Sequence, residues 1–168
     1  DVCSSDLTAE YFKNKFSLED SIEEIMNDWN TMAYNYYTND IKLKPGALQY
    51  LLKLKELGIK IGLATSNSMH LLTTTLNSNN AFELFDAITV TDEVEKSKSN
   101  PDIYLLAAKK LGVNPSECMV FEDIIAAVYG AKLAGMKVTG VYDKHSEHQI
   151  DILKKECDNY IYNYEDLI

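Results

Sequence analysis

The chain has 168 residues, a formal net charge of −10 and a hydrophobic fraction of 46%, which is enough for one domain with a real core, or a core plus a small accessory unit. The acidic balance excludes a general nucleic-acid binder, which needs clustered Lys and Arg. No apolar run approaches the roughly 20 residues of a membrane span, and Cys3, Cys118 and Cys157 lack the spacing of a disulfide framework or a structural zinc site, so a reducing, cytoplasmic setting fits them.

Residues 1–7 have no usable periodicity, are unreadable as structure, and include no initiator Met. From Thr8 to Phe16 the pattern is weakly helical. Either Ser17 or Ser21 can cap a longer second helix, on which Ile22, Ile25, Met26, Trp29, Met32, Ala33 and Tyr36 recur at the spacing of one continuous apolar face. Such a face is usually core, with an aromatic binding face of Trp29, Tyr36 and Tyr37 as the alternative. Its predicted partners are the preceding helix and the domain that follows.

After a polar link, Pro45 sits well for a helix start and Gly58 for its stop. From here β and α patterns alternate: a strand over 59–65, a helix over 68–78, a strand over 87–91, a helix over 101–111, a strand over 118–121 and its helix, a strand over 137–142, a helix over 146–156 and a short edge strand over 160–162. Repeated βα units predict a parallel sheet with helices on both faces.

In open α/β sheets, ligands collect outside the carboxyl ends of the strands. The first strand delivers Thr65, Ser66, Asn67 and Ser68 into a helix N-terminus, which is either an anion cradle or simply a cap. The second leads to Lys96 and Lys98. The third delivers Glu122 and Asp123, readable as hard-cation ligands, although Asp123 could equally be the N-cap of the next helix. Together they suit Mg²⁺-assisted phosphate chemistry better than any one does alone.

His145 and His148 have helical i, i+3 spacing without an evident third ligand and are read as a surface helix start. His70 lies near the rim of the proposed site. Asp102 suits the first turn of its helix. Asp92, Glu93 and Glu95 read as a solvated run.

In order and spacing, residues 61–68, 98–105 and 120–123 resemble the haloacid dehalogenase-like phosphohydrolases, in the branch near β-phosphoglucomutase and the sugar-phosphate phosphatases. The resemblance covers the chain from Thr8 to its C-terminus. It implies an α/β fold, a three-layer Rossmann-like core with a parallel sheet over residues 41–168, preceded over residues 8–40 by the later part of a helical cap; residues 1–7 would be non-native. It also implies that Thr65, with Ser66 and Asn67, binds phosphate, that Lys98 neutralises it, and that Glu122 and Asp123 hold Mg²⁺. The substrate would be a small phosphorylated metabolite, with no nucleic-acid or membrane partner.

One departure matters more than these matches. The family's nucleophile and acid/base are an Asp-x-Asp pair ending its first strand, and no Asp-x-Asp occurs in the sequence. The expectation is a chain that begins inside its cap and lacks the first strand, whose place is between the strands ending at Ala64 and Phe121. A phosphatase in the full-length parent, a phosphomutase, and an inactive fragment all follow from the resemblance. A receiver-like signalling module uses similar groups, but in the order acids first and Lys last, which is not the order here.

Overall fold

The computed structural model describes residues 5–168. Cys3 and the opening four residues of the unreadable 1–7 segment lie outside the described residues. The chain divides into two compact units, Asp1–Ile41 and Lys42–Ile168.

In the first unit, α1 (Ser5–Phe16) begins before the expected Thr8, so the last residues of the unreadable segment are helical. Ser17 ends it with a φ of 52°. Of the two candidate caps it is Ser21 that starts α2 (Ile22–Asn39), through a reciprocal capping box with Glu24. The two helices pack on each other, with the rings of Phe12 and Trp29 meeting edge to face at 5.5 Å; Ala9 of α1 and Ile25 of α2 are buried. The continuous apolar face is not continuously buried within this unit: Met32 and Tyr36 are 59% and 56% exposed. Two helices enclose only the stripe where they touch.

The second unit is α/β. Its elements are α3 (Ala47–Glu56), β1 (Gly62–Thr65), α4 (Met69–Ser78), β2 (Ala87–Val90), α5 (Asp102–Leu111), β3 (Met119–Glu122), α6 (Ile125–Leu133), β4 (Lys137–Val141), α7 (Ile150–Glu156) and β5 (Asn159–Ile161). β1, β2 and β4 are shorter than the stretches predicted for them, and β3 and β5 keep the predicted length but are shifted by one residue. The stretch predicted as one helix over 146–156 is a 3-10 turn, Lys144–Gln149, followed by α7, because Ser146 departs from helical geometry.

Every strand pairing is parallel, as βα alternation requires. β1 pairs with β2, placing Thr65 opposite Val90. β3 pairs with β4, placing Glu122 opposite Gly140, and β4 pairs with β5. The sheet is therefore split into β1-β2 and β3-β4-β5. Among the described residues no strand lies between β1 and β3, so each presents an unpaired edge. A shared core still joins the two halves: Ala64 of β1 and Val120 of β3 both pack against the cluster of Ile103, Tyr104, Val128 and Val138. No helix among the described residues is long and apolar enough to cross a membrane.

Aspartates fix the amino-terminal edge of each sheet. Asp86 accepts from the Ile61 N–H at 2.8 Å and pairs with Lys55 at 2.7 Å. Asp158 accepts from the Val138 N–H at 2.8 Å. Side chains thus satisfy backbone donors where the ladders begin, and the opposite, carboxyl edge carries the residues singled out for chemistry.

Candidate phosphate and cation site

The β3–α6 turn removes one of the two readings of Asp123, that of helix cap. α6 begins at Ile125, its N-cap residue is Ile124, and no side chain of the turn caps it. The Ile125 N–H instead donates to Oε1 of Gln149, 2.9 Å away and 24 residues later. Asp123 is not the cap. Its carboxylate is directed to Lys44, with Oδ2 3.9 Å from Nζ.

Glu122 faces the other way, inward. It is 9% exposed, and Oε1 receives both a short ion pair from Lys98 and the hydroxyl of Tyr104 at 2.9 Å. A carboxylate this buried requires a counter-charge, and Lys98 provides it. The Lys98 ammonium also lies 5.9 Å from the centre of the Tyr104 ring. Burial, then the charge and hydrogen bond of Glu122, raise the Tyr104 phenol far above its ordinary range, so this hydroxyl is a fixed donor. Of the lysines in the β2–α5 loop, Lys98 is partly buried in this contact and Lys96 is exposed. The loop is pressed into place by α6: a Cβ at Gly130 would lie 2.0 Å from the Lys98 carbonyl oxygen.

At the end of β1, Thr65 Oγ1 accepts from the Asn67 N–H at 3.0 Å, and Asn67 Oδ1 accepts from the Ser68 N–H at 2.9 Å. Ser68 caps α4 by accepting from Leu71 at 3.4 Å. The capping duty falls on Ser68, and the Thr65 hydroxyl keeps its own proton to donate. Ser66 is exposed. Thr65, Ser66 and Asn67 form one local group and Lys98, Tyr104 and Glu122 another; among the described residues no shared hydrogen bond joins them.

Several residues at the site carried no sequence signal. Tyr104 looks like core, since it is 2% exposed, and only the fold brings it under Glu122. Tyr164 stacks with Tyr50 and Phe121; its phenol is pushed up to about 12 by burial and then by the charges of Asp123, Glu122 and Tyr50. Lys44 and Asp143 form a short ion pair. Elsewhere, Asp92, Glu93 and Glu95 are exposed as expected, and Glu93 is also tied down: it takes the Val90 N–H at 3.0 Å and pairs with Lys110 at 2.6 Å. Asp102 opens α5. His145 and His148 lie on the 3-10 turn before α7, and His70 is exposed on the first turn of α4.

Oxygen donors at Glu122 and Asp123 suit a hard cation such as Mg²⁺. Oε1 of Glu122 is already engaged, which leaves Oε2 and the third-exposed Asp123 carboxylate. Among the described residues no group of three or more His, Cys, Asp or Glu is placed to hold a metal. The pair therefore fits as part of a donor set, with ligands from water or substrate to complete it.

A family model described as haloacid dehalogenase-like hydrolase matches residues 3–141. The chain is 46% identical over 103 residues to YhcW of Bacillus subtilis (strain 168), described provisionally as a phosphatase, covering 61% of this chain and 47% of that protein. It is 34% identical over 95 residues to hexitol phosphatase B of Escherichia coli (strain K12), covering 56% and 43%. A crystal structure from Thermotoga maritima, described provisionally as a β-phosphoglucomutase, superposes with a TM-score of 0.81 at 26% identity, covering 95% of this chain and 74% of that one. The chain spans about half the length of the curated relatives it matches.

Proposed function

We propose phosphoryl transfer to water from a small phosphorylated metabolite, such as a sugar phosphate, on one premise: the chain belongs to the haloacid dehalogenase-like hydrolases. The observation that carries the reading is the Lys98–Glu122 pair. It joins the loop after β2 to the carboxyl end of β3, so that a cation and an acidic pair share one rim. Phosphatase names among the relatives support the substrate class.

In this reading Thr65 donates its hydroxyl to a phosphate oxygen, with Ser66, Asn67 and the start of α4 adding donors. Lys98 is held by Glu122 and Tyr104 and meets the phosphate charge as a preorganised cation, which costs little reorganisation during reaction. Asp123 and Oε2 of Glu122 would hold Mg²⁺. When bound, that ion would polarise the phosphoryl group and offset its charge. Residues 8–40 are read as the later part of a helical cap, and residues 41–168 as the core. Free Cys118 and Cys157 suit a reducing, cytoplasmic setting.

The 168 residues contain no Asp-x-Asp, so the aspartyl-phosphate step is assigned to a protein that carries this chain together with such a motif. For the 168 residues alone, the reading is a phosphate- and cation-binding unit without turnover. The likeness to the Thermotoga maritima structure favours a phosphomutase as the second reading. Release of inorganic phosphate, against conversion to an isomeric phosphate ester, separates the two.

The test uses a protein containing both the chain and the motif, with a generic aryl phosphate as substrate. Hydrolysis should require Mg²⁺, and Lys98→Ala should lower kcat by about 100-fold or more. Asp123→Asn should raise the Mg²⁺ concentration needed for half-activity. Full activity in both variants removes these residues from the mechanism.

A further inference from the structure

Lys44 precedes a Pro-Gly turn and carries no sequence motif for chemistry, yet its ammonium meets three oxygens. These are Oδ2 of Asp143 in a short ion pair, the Tyr142 carbonyl at 3.1 Å and Oδ2 of Asp123 at 3.9 Å. The backbone beside it is fixed. The Pro45 carbonyl accepts from the Tyr164 N–H at 3.0 Å. Gly46 turns with a φ of +75°, so close to the C-terminal segment that a Cβ would lie 2.5 Å from the Glu165 nitrogen. Asp143 is fixed as well, since its other oxygen accepts from the His145 N–H at 2.8 Å.

Lys44 and Asp123 are each about one-third exposed, at 34% and 33% of their side chains, so their contact adds little to stability. Its consequence is electrostatic. A divalent ion on Asp123 would meet the repulsion of Lys44, and that repulsion is tempered by Asp143. The three groups together carry one net negative charge, shared across two carboxylates.

We propose that Lys44 is a resident cation between Asp143 and Asp123 whose charge, acting through Asp123, sets how tightly a divalent ion binds there. This rests on the reading of Asp123 as a cation ligand. Asp143 is the counterweight. Changing either partner alone shifts cation affinity in opposite directions, and changing both restores it.

The experiment measures Mn²⁺ binding to the 168-residue chain without substrate, by the electron paramagnetic resonance signal of free Mn²⁺, with circular dichroism melts to establish that each variant is folded. Lys44→Met should tighten binding about tenfold, the effect of removing a unit charge roughly 6 Å from a divalent ion in a high-dielectric setting. Asp143→Asn should weaken it by a similar factor. The double variant should return to within about threefold of the parent, and Lys44→Arg, which keeps the charge, to within about twofold. A purely structural role would lower affinity in both single variants. Unchanged or weaker binding in Lys44→Met overturns the inference. If Lys44→Met does not fold, Asp143→Asn decides alone, and unchanged or tighter binding there overturns it. Asp123→Asn separates the two levels. If it weakens Mn²⁺ binding while the Lys44 and Asp143 variants do not shift as stated, only the present inference fails; if it leaves binding unchanged, the cation reading of Asp123 fails too.

Discussion

Gly130 of α6 lies so close to Lys98 that a methyl group in place of its hydrogen would come within 2.0 Å of the Lys98 carbonyl oxygen and 2.8 Å of that of Asn100. The helix after the acidic pair therefore bears directly on the loop that carries the lysine. Gly130→Ala should force that loop outward and destabilise the chain by about 1–3 kcal/mol, the usual cost of overpacking. Chemical denaturation measures this. A variant as stable as the parent would mean that the loop yields without cost.

Glu122 is the buried member of the site, and its two partners differ in kind. Tyr104→Phe removes one hydrogen bond and should cost about 1 kcal/mol. Lys98→Met leaves the carboxylate without its counter-charge and should cost about 3–5 kcal/mol, or force Glu122 to take up a proton. Urea unfolding of both variants at neutral pH ranks the two effects. Equal costs would argue against a charge-paired Glu122.

Capping of α6 gives a comparison between two residues far apart in sequence. Gln149→Ala should cost roughly 1 kcal/mol, because the Ile125 N–H loses its acceptor. Asp123→Asn should change stability by no more than about 1 kcal/mol, since a long, partly exposed ion pair is what it loses. Thermal melts that reverse this order would restore Asp123 as the cap.

Asp86 supplies a pH dependence. The hydrogen bond from Lys55, then that from the Ile61 N–H, hold its carboxyl below the usual carboxylate range. The folded state thus binds the proton less readily than the unfolded state. Stability from this group is complete above the ordinary carboxylate range and is lost as pH falls through the lowered folded value. Asp86→Asn should be less stable than the parent at pH 7, and the difference should shrink as the pH falls below about 4. A difference that is constant with pH would sink this assignment.

The unpaired edges of β1 and β3 predict self-association of the 168-residue chain, because exposed strand edges pair with other chains. Light scattering after size exclusion should report species larger than a monomer. A monomer with one sharp cooperative melt would count against this.

Much of the architecture was legible because local rules suffice for it. Gly58 and Gly112, both with positive φ, stop helices where the sequence places them, and the alternation of βα units implies parallel pairing. The acids at 122–123 and the hydroxyls from Thr65 stand at the ends of β3 and β1, which chain order alone implies, whereas Lys98 reaches Glu122 from the loop after β2. Tyr104 and Gln149 were not legible: each acts on a residue 18 or 24 positions away, and nothing periodic marks such a contact.

The sequence by itself determined the order of the elements, the family motifs and the absence of an Asp-x-Asp pair, since these depend on residue type and spacing. The tertiary structure alone decided that Asp123 faces Lys44 instead of capping α6, that Glu122 is buried against Lys98 and Tyr104, and that Asp143 shares Lys44. Adjacent residues at a strand's end point in opposite directions, and what each one meets is fixed by elements that arrive from elsewhere in the chain.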